Sequence, residues 1–235
     1  MALLFATGFL DAESSGVSTD FEAQTREYLL ANPEVVVEAL QQLEERRQAT
    51  EANEMETLLA ERGQEIFNDP ASPVAGNPDG DVTLVEFFDY NCPYCRKAAP
   101  TIEQALAADS GLKFVYKEWP ILGPGSEFAA RAALAARKQD KYQAFHDAMM
   151  AYSGSVDETS TMTIAADVGL DVERLEQDME DPAIMAAIEN NRALANELRI
   201  TGTPTFVVGH EIIRGLVDLT TLQRSIAEAR DQPEG

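Results

Sequence analysis

The 235-residue chain is poor in the residues that most metal and nucleic-acid chemistries require. It has two cysteines and two histidines, His146 and His210, and neither histidine has a partner at metal-ligand spacing. A zinc site built on the cysteines would need two further ligands, so no metal is expected. Basic residues are scarce: 18 Lys and Arg stand against 41 Asp and Glu, a net charge of −23. That balance argues against a nucleic-acid partner and fits a solvated acidic surface. Long apolar runs are also missing. Residues 1–10 (MALLFATGFL) are too short to cross a bilayer and lack a basic leader, so they are read as the remnant of a secretory signal, or else as a short disordered tail. There is no internal repeat and no low-complexity tract. What remains is 45% apolar, enough for a core in one ordinary domain with an appendage, or in two small domains.

The two cysteines are Cys92 and Cys95, separated by Pro93 and Tyr94. They follow an apolar run, residues 82–88, that reads as a buried strand, and precede residues 96–108, which read as a helix. Cys92 then lies at the first helical turn, where unpaired N–H groups and the positive end of the helix dipole stabilise a thiolate. Cys95, one turn further in, is shielded and placed to resolve a mixed disulfide formed at Cys92. Pro93 suits the first turn because its missing N–H costs nothing there. A purely structural disulfide across two residues would close too short a loop to stabilise much. Redox chemistry is the expectation, with the Cys92–Cys95 disulfide as the redox group and no separate cofactor.

Ahead of the dithiol, a helix begins near Phe21, Asn32-Pro33 restarts it, and the helical pattern continues to about Phe67. Its apolar stripe is Val36, Leu40 and Leu43, then a polar middle over 44–54, then Met55, Leu59, Arg62 and Ile66. So narrow a stripe cannot pack a core of its own; residues 20–67 are read as an arm that self-associates rather than simply docking. Residues 68–81, rich in Pro, Gly, Asn and Asp, read as a linker. The domain proper is expected over 82–230: strand 82–88, helix 93–108, strand 112–117, helices from about 126 to 198, strands 205–208 and 212–214, and helix 219–229. Gly209-His210 is the hairpin turn, with glycine where positive φ is needed.

The segment Glu86-Phe-Phe-Asp-Tyr-Asn-Cys-Pro-Tyr-Cys95, the long helical insertion and the late Thr203-Pro204 together resemble the DsbA family of thiol–disulfide oxidoreductases. The FFDYNC segment and the preceding arm are most similar to the suppressor-of-copper-sensitivity C branch and its outer-membrane-labelled relatives. The resemblance spans about residues 20–230. It implies an α/β thioredoxin fold with an inserted helical subdomain at about 119–199, preceded by the N-terminal arm.

The resemblance carries further implications. Thr203-Pro204 matches the family's cis-proline loop beside the dithiol, where the Thr203 backbone would receive a client as an added β-strand; a trans proline opening a strand is the plainer alternative. Pro93 and Tyr94 would join Thr203 and Pro204 in contacting the client. Glu86 matches a buried acid that accepts the Cys95 proton, against the plainer reading of a solvent-facing residue. Lys117 is expected to pair with Glu86. Strongly oxidising members carry histidine where Tyr94 stands, so the Cys92 thiolate should be less stabilised here. Threonine before the proline is also closer to isomerases and reductases.

The reading implied is an envelope (periplasmic) oxidoreductase leaning to isomerisation and reduction. Its partners would be unfolded or misfolded cysteine-containing envelope proteins, a membrane redox protein, and further copies of itself, three being favoured. A monomeric disulfide oxidase and a Cu(I)-binding dithiol module remain alternatives.

Overall fold

The computed structural model describes residues 19–231. The apolar residues 1–10, read as a secretory signal, lie outside the described residues. The chain divides into two units, Met1–Asn53 and Glu54–Gly235.

In the first unit, helix α1 (Thr19–Ala31) ends where Asn32 folds its side-chain amide back onto the Tyr28 carbonyl, 2.9 Å away. Helix α2 (Glu34–Glu61) opens just after Pro33 and runs unbroken through the polar middle. Arg47 pairs there with Glu44 and Glu51 at i±3 and i+4 spacing, worth a few tenths of a kcal/mol per pair. Val36, Leu40 and Leu43 are 43, 59 and 55% exposed.

The second unit is built on a five-stranded sheet. Its strands are β1 (Val74–Gly76), β2 (Val82–Phe88), β3 (Leu112–Glu118), β4 (Thr205–Val208) and β5 (Glu211–Arg214), in spatial order β1-β3-β2-β4-β5. Strands β2 and β3 are parallel and joined by α4 (Pro93–Ala108), while β1, β4 and β5 each run antiparallel to their neighbours. Five helices fill the interval between β3 and β4: α5 (Pro124–Ala136), α6 (Tyr142–Ala151), α7 (Glu158–Asp167), α8 (Val172–Met179) and α9 (Pro182–Glu197). Helix α10 (Leu219–Asp231) closes the described chain. This is the thioredoxin arrangement with an inserted helical subdomain. Gly209 takes φ 52° at the β4–β5 turn, as expected.

Side-chain alternation along the buried strands makes two cores. Leu84 and Phe88 of β2, Phe114 and Tyr116 of β3 and Phe206 of β4 pack with α4, the insertion and α10. Val85, Phe87, Val115 and Val207 face the other way, onto Leu59 of α2, Leu194 and Leu198 at the end of α9, and Ile66 and Phe67 of the short helix α3 (Gly63–Phe67). Ala129, Ala132, Ala133 and Ala136 form the close-packed face of α5, each fully buried.

Three expectations are corrected. The stretch 68–81 is more than a linker, because Val74–Gly76 pairs with Lys113–Val115 as an edge strand. The arm does not extend to residue 67, because Leu59, Ile66 and Phe67 are 1, 0 and 4% exposed within the second core. Lys117 does not pair with Glu86. In the parallel register Phe87 opposes Lys117 and Glu86 opposes Tyr116, so Lys117 and Glu86 project from opposite faces of the sheet. The buried Lys117 ammonium instead binds Asp69 at 2.9 Å and donates to the Glu65 carbonyl at 2.7 Å.

Candidate active site

Cys92 is the N-cap of α4, with Pro93 opening the helix. The chain reaches that position from the end of β2 through Asp89, Tyr90 and Asn91, and the Cys92 amide donates to the Asp89 carbonyl at 3.0 Å. The Cys92 sulfur accepts from the Cys95 amide at 3.4 Å, and its thiol donates to the Thr203 carbonyl at 3.3 Å. The Thr203–Pro204 peptide bond is cis. Both thiols are free; Cys92 is 3% exposed and Cys95 fully enclosed.

The two thiols are driven apart in acidity. The Cys92 thiol is lowered to about 5, chiefly by the hydrogen bond from Cys95; burial opposes this, and Thr203 and the Cys95 and Tyr94 amides reinforce it. Without a histidine between the cysteines, the stabilisation comes chiefly from the Cys95 side chain, with Thr203 and the amides of the helix start adding to it. Burial, followed by the hydrogen bond to Cys92 and the Glu86 charge, pushes the Cys95 thiol far up.

Glu86 is 1% exposed, on the same sheet face as Phe88 and Tyr116, so the solvent-facing reading fails. Burial first, and then the Cys92 charge, raise its carboxyl to about 8. Among the described residues, its Oε1 has no hydrogen-bond partner. Tyr94 projects into solvent at the helix start, 56% exposed, with the Lys97 ammonium 5.8 Å from its ring centre.

Several residues that the sequence reading left without a role also brace this turn. Asn91 grips the Val156 backbone from both sides, its amide oxygen accepting at 2.8 Å and its nitrogen donating at 3.0 Å. Arg96 donates to the Tyr90 and Gly154 carbonyls, each at 2.9 Å. Tyr90 and Tyr142 both place their hydroxyls on Glu118 Oε1, at 3.0 and 2.9 Å, and the Tyr90 hydroxyl lies 3.1 Å from His146 Nδ1. Burial raises Glu118 well above the usual carboxylate range, and burial lowers His146 to about 3. The one signal available in sequence was an acid, Glu118, ending a strand whose other charged residues are Lys113 and Lys117. Among the described residues, no group of three or more His, Cys, Asp or Glu is arranged to hold a metal ion.

A cysteine pair at a helix start, with the second thiol buried and the carbonyl of the residue before a cis-proline against the first, defines a thioredoxin-fold dithiol protein. Residues 83–227 match the DSBA-like thioredoxin domain, and residues 19–50 match the copper resistance protein ScsC N-terminal domain. The chain belongs to the DSBA-like thioredoxin family, in the branch that carries the ScsC-type arm. A thioredoxin-like oxidoreductase from Silicibacter pomeroyi DSS-3 is 54% identical, with 72% of this chain and 97% of that chain covered and a TM-score of 0.71. Proteus mirabilis ScsC in a transitional conformation is 28% identical, with 94% and 98% covered and a TM-score of 0.69. A Na(+)/H(+) antiporter NhaA 3 from Salinispora tropica is 29% identical over 168 residues, 69% of this chain. The chain spans about a quarter of that relative's length, 26%.

Proposed function

We propose that the chain is a thiol–disulfide oxidoreductase of the bacterial envelope that acts on cysteine-containing client proteins and leans towards isomerisation and reduction. One observation carries this reading: the Cys92 sulfur caps α4 against the Cys95 amide and faces the Thr203 carbonyl of the cis-proline loop. Periplasmic residence accords with the family. Among the described residues no helix is long and apolar enough to cross a membrane.

In the reductive direction, the Cys92 thiolate attacks one sulfur of a client disulfide and the other client sulfur departs as a thiolate. The client lies along Thr203 and Pro204 as an added strand, with Pro93 and Tyr94 at its cysteine. A client thiolate that attacks elsewhere in its own chain, and later releases Cys92, completes an isomerisation. Otherwise Cys95 passes its proton to the Glu86 carboxylate and attacks the Cys92 sulfur. The second client thiolate leaves, and the chain holds a Cys92–Cys95 disulfide for a membrane redox partner to reduce. Once Cys92 is in the mixed disulfide its charge is gone. The smaller of the two causes that raise Glu86 is then removed, which favours its carboxylate, while burial remains.

Replacing Glu86→Gln tests the proton step. Turnover near neutral pH should fall by about a hundredfold or more, within the range of general-base catalysis. The stability sign is opposite. A carboxyl held at about 8, against an ordinary 4.5, keeps its proton when the unfolded chain has lost it. Its contribution is complete below about 4.5 and is lost as pH rises to about 8. Glu86→Gln in the reduced protein should therefore flatten that decline and be the more stable protein at pH 8, by a few kcal/mol at roughly 1.4 per pH unit. Denaturant unfolding at pH 5 and 8 measures it. Unchanged turnover would leave Glu86 a structural acid.

The isomerase lean rests on the Thr203 and Tyr94 choices and on the arm. An exposed Val36, Leu40 and Leu43 stripe suits self-association, and three copies are proposed. Assembly would place several dithiols around one client and crowd the approach of an oxidant to Cys92. Light scattering should give a trimer for the full chain and a monomer for Leu40→Glu. The variant should keep thiol exchange and lose reactivation of a scrambled substrate. A monomeric full chain would favour a simple oxidase.

A further inference from the structure

We propose that Asn91 and Arg96, which flank the cysteine motif on either side, are positioning residues that clamp the dithiol turn to the loop between α6 and α7, and that through them the inserted helices set the reactivity of Cys92. The proposal rests on the thiol-exchange reading above.

Apart from the cysteines, the polar side chains of residues 89–96 are Asp89, Tyr90, Asn91, Tyr94 and Arg96. Tyr94 faces solvent, and the other four reach into the stretch between β3 and β4. Asp89 Oδ1 accepts from the Ser126 hydroxyl of α5 at 2.7 Å, and its Oδ2 from the Ile121 and Leu122 amides at 2.8 and 2.9 Å. The Tyr90 hydroxyl lies against His146 of α6. Asn91 donates to the Ser126 hydroxyl at 3.1 Å, besides its two bonds to the Val156 backbone. Arg96 spans a gap: its Nε holds the Tyr90 carbonyl, ahead of the cysteines, and its Nη1 holds the Gly154 carbonyl of the loop.

The angle of the turn decides what the Cys92 sulfur meets. Its contacts lie on two different elements, the Cys95 amide of α4 at 3.4 Å and the Thr203 carbonyl at 3.3 Å. Hydrogen bonds weaken steeply with misalignment, so a small rotation of the turn takes the amide off the sulfur. The backbone bonds from Cys92 to Asp89 and from Arg96 to Cys92 fix the shape of the turn but not its angle to the sheet. The clamp supplies that constraint. Val156 is 2% exposed, so its two bonds to Asn91 are sheltered from water, where such bonds are strongest. The loop end of the clamp is itself pinned: Gly125, at the start of α5, packs so closely that a Cβ there would collide with the Val156 carbonyl.

Two readouts test the clamp: the Cys92 thiolate midpoint, followed by ultraviolet absorbance in the full chain carrying Cys95→Ser, and the equilibrium of the intact dithiol with glutathione. Asn91→Ala removes both Val156 bonds without changing charge. The midpoint should rise by about one pH unit, a tenfold loss of thiolate at a fixed pH below it. With its thiolate less stabilised, the reduced form is less favoured, and the equilibrium should shift about tenfold towards the disulfide. Gly125→Ala pushes the loop from the other side and leaves both clamp residues in place. It should move both readouts the same way, which decides the matter if Asn91→Ala does not fold. Arg96→Lys keeps the charge but gives up the fork that spans two carbonyls; it should shift both readouts less, in the same direction, and it decides if neither other variant folds. Bonds that serve stability alone would lower the melting temperature and leave midpoint and equilibrium unmoved. That result in the deciding variant would overturn the proposal. Failure of the full chain to exchange with hydroxyethyl disulfide would instead overturn the thiol-exchange reading.

Discussion

Removal of residues 1–53 should leave a folded, cooperatively melting protein, whereas removal of residues 1–67 should abolish the fold. Both cuts remove the exposed Val36, Leu40 and Leu43 stripe, but only the longer one reaches the second core. It takes away Leu59, Ile66 and Phe67, which cover Val85, Phe87, Val115 and Val207 of the sheet. Fully burying each such side chain contributes about 1.5–3 kcal/mol, so their combined loss is comparable with the whole stability of a typical domain, about 5–15 kcal/mol. The longer cut also removes the Glu65 carbonyl from buried Lys117 and the Phe67 carbonyl from Lys113. A buried ammonium short of acceptors adds to the cost. Thermal melts followed by circular dichroism compare the two. A 68–235 chain as stable as the 54–235 chain would contradict the packing described.

The largest effect on activity is expected at Cys92. Cys92→Ala should abolish exchange with protein and small-molecule disulfides alike, because no other described thiol is both lowered in pKa and set at a helix start. Cys95→Ala should have a different signature. The nucleophile remains, the resolving thiol is gone, and mixed disulfides with clients should accumulate in non-reducing gels and disappear on reduction. Equal, simple loss of activity in both variants, with no trapped adduct, would mean that the two cysteines do not divide the work as proposed.

Much of the catalytic half could be read in the sequence because its determinants are local. An apolar run, two cysteines at helical spacing and a proline at the first turn specify strand, nucleophile and helix without help from elsewhere. Gly209-His210 likewise announced its hairpin. What could not be read depended on register and on distant partners. Whether Lys117 meets Glu86 is decided by the parallel pairing of β2 with β3, where a shift of one residue exchanges faces. Strand β1 is three residues within a Pro- and Gly-rich stretch, too short for any periodicity, and exists because β3 offers an open edge. Met55, Leu59 and Ile66 continue a plausible coiled-coil stripe; only the sheet face that they cover distinguishes core from arm. Asp89 looks like an ordinary turn residue, and three of its partners lie more than 30 positions away.

The acidity of Cys92 is the most direct test of the central claim that this thiol is the activated nucleophile. Thiolate ultraviolet absorbance of the reduced Cys95→Ser variant, followed against pH, reports that one group. Cys95→Ser retains the backbone amide at the sulfur and a side-chain hydroxyl able to donate, so the midpoint should stay well below the ordinary thiol value, near the about 5 of the intact dithiol. A midpoint at or above about 8.5 would mean that the helix start confers no activation, and would contradict the account.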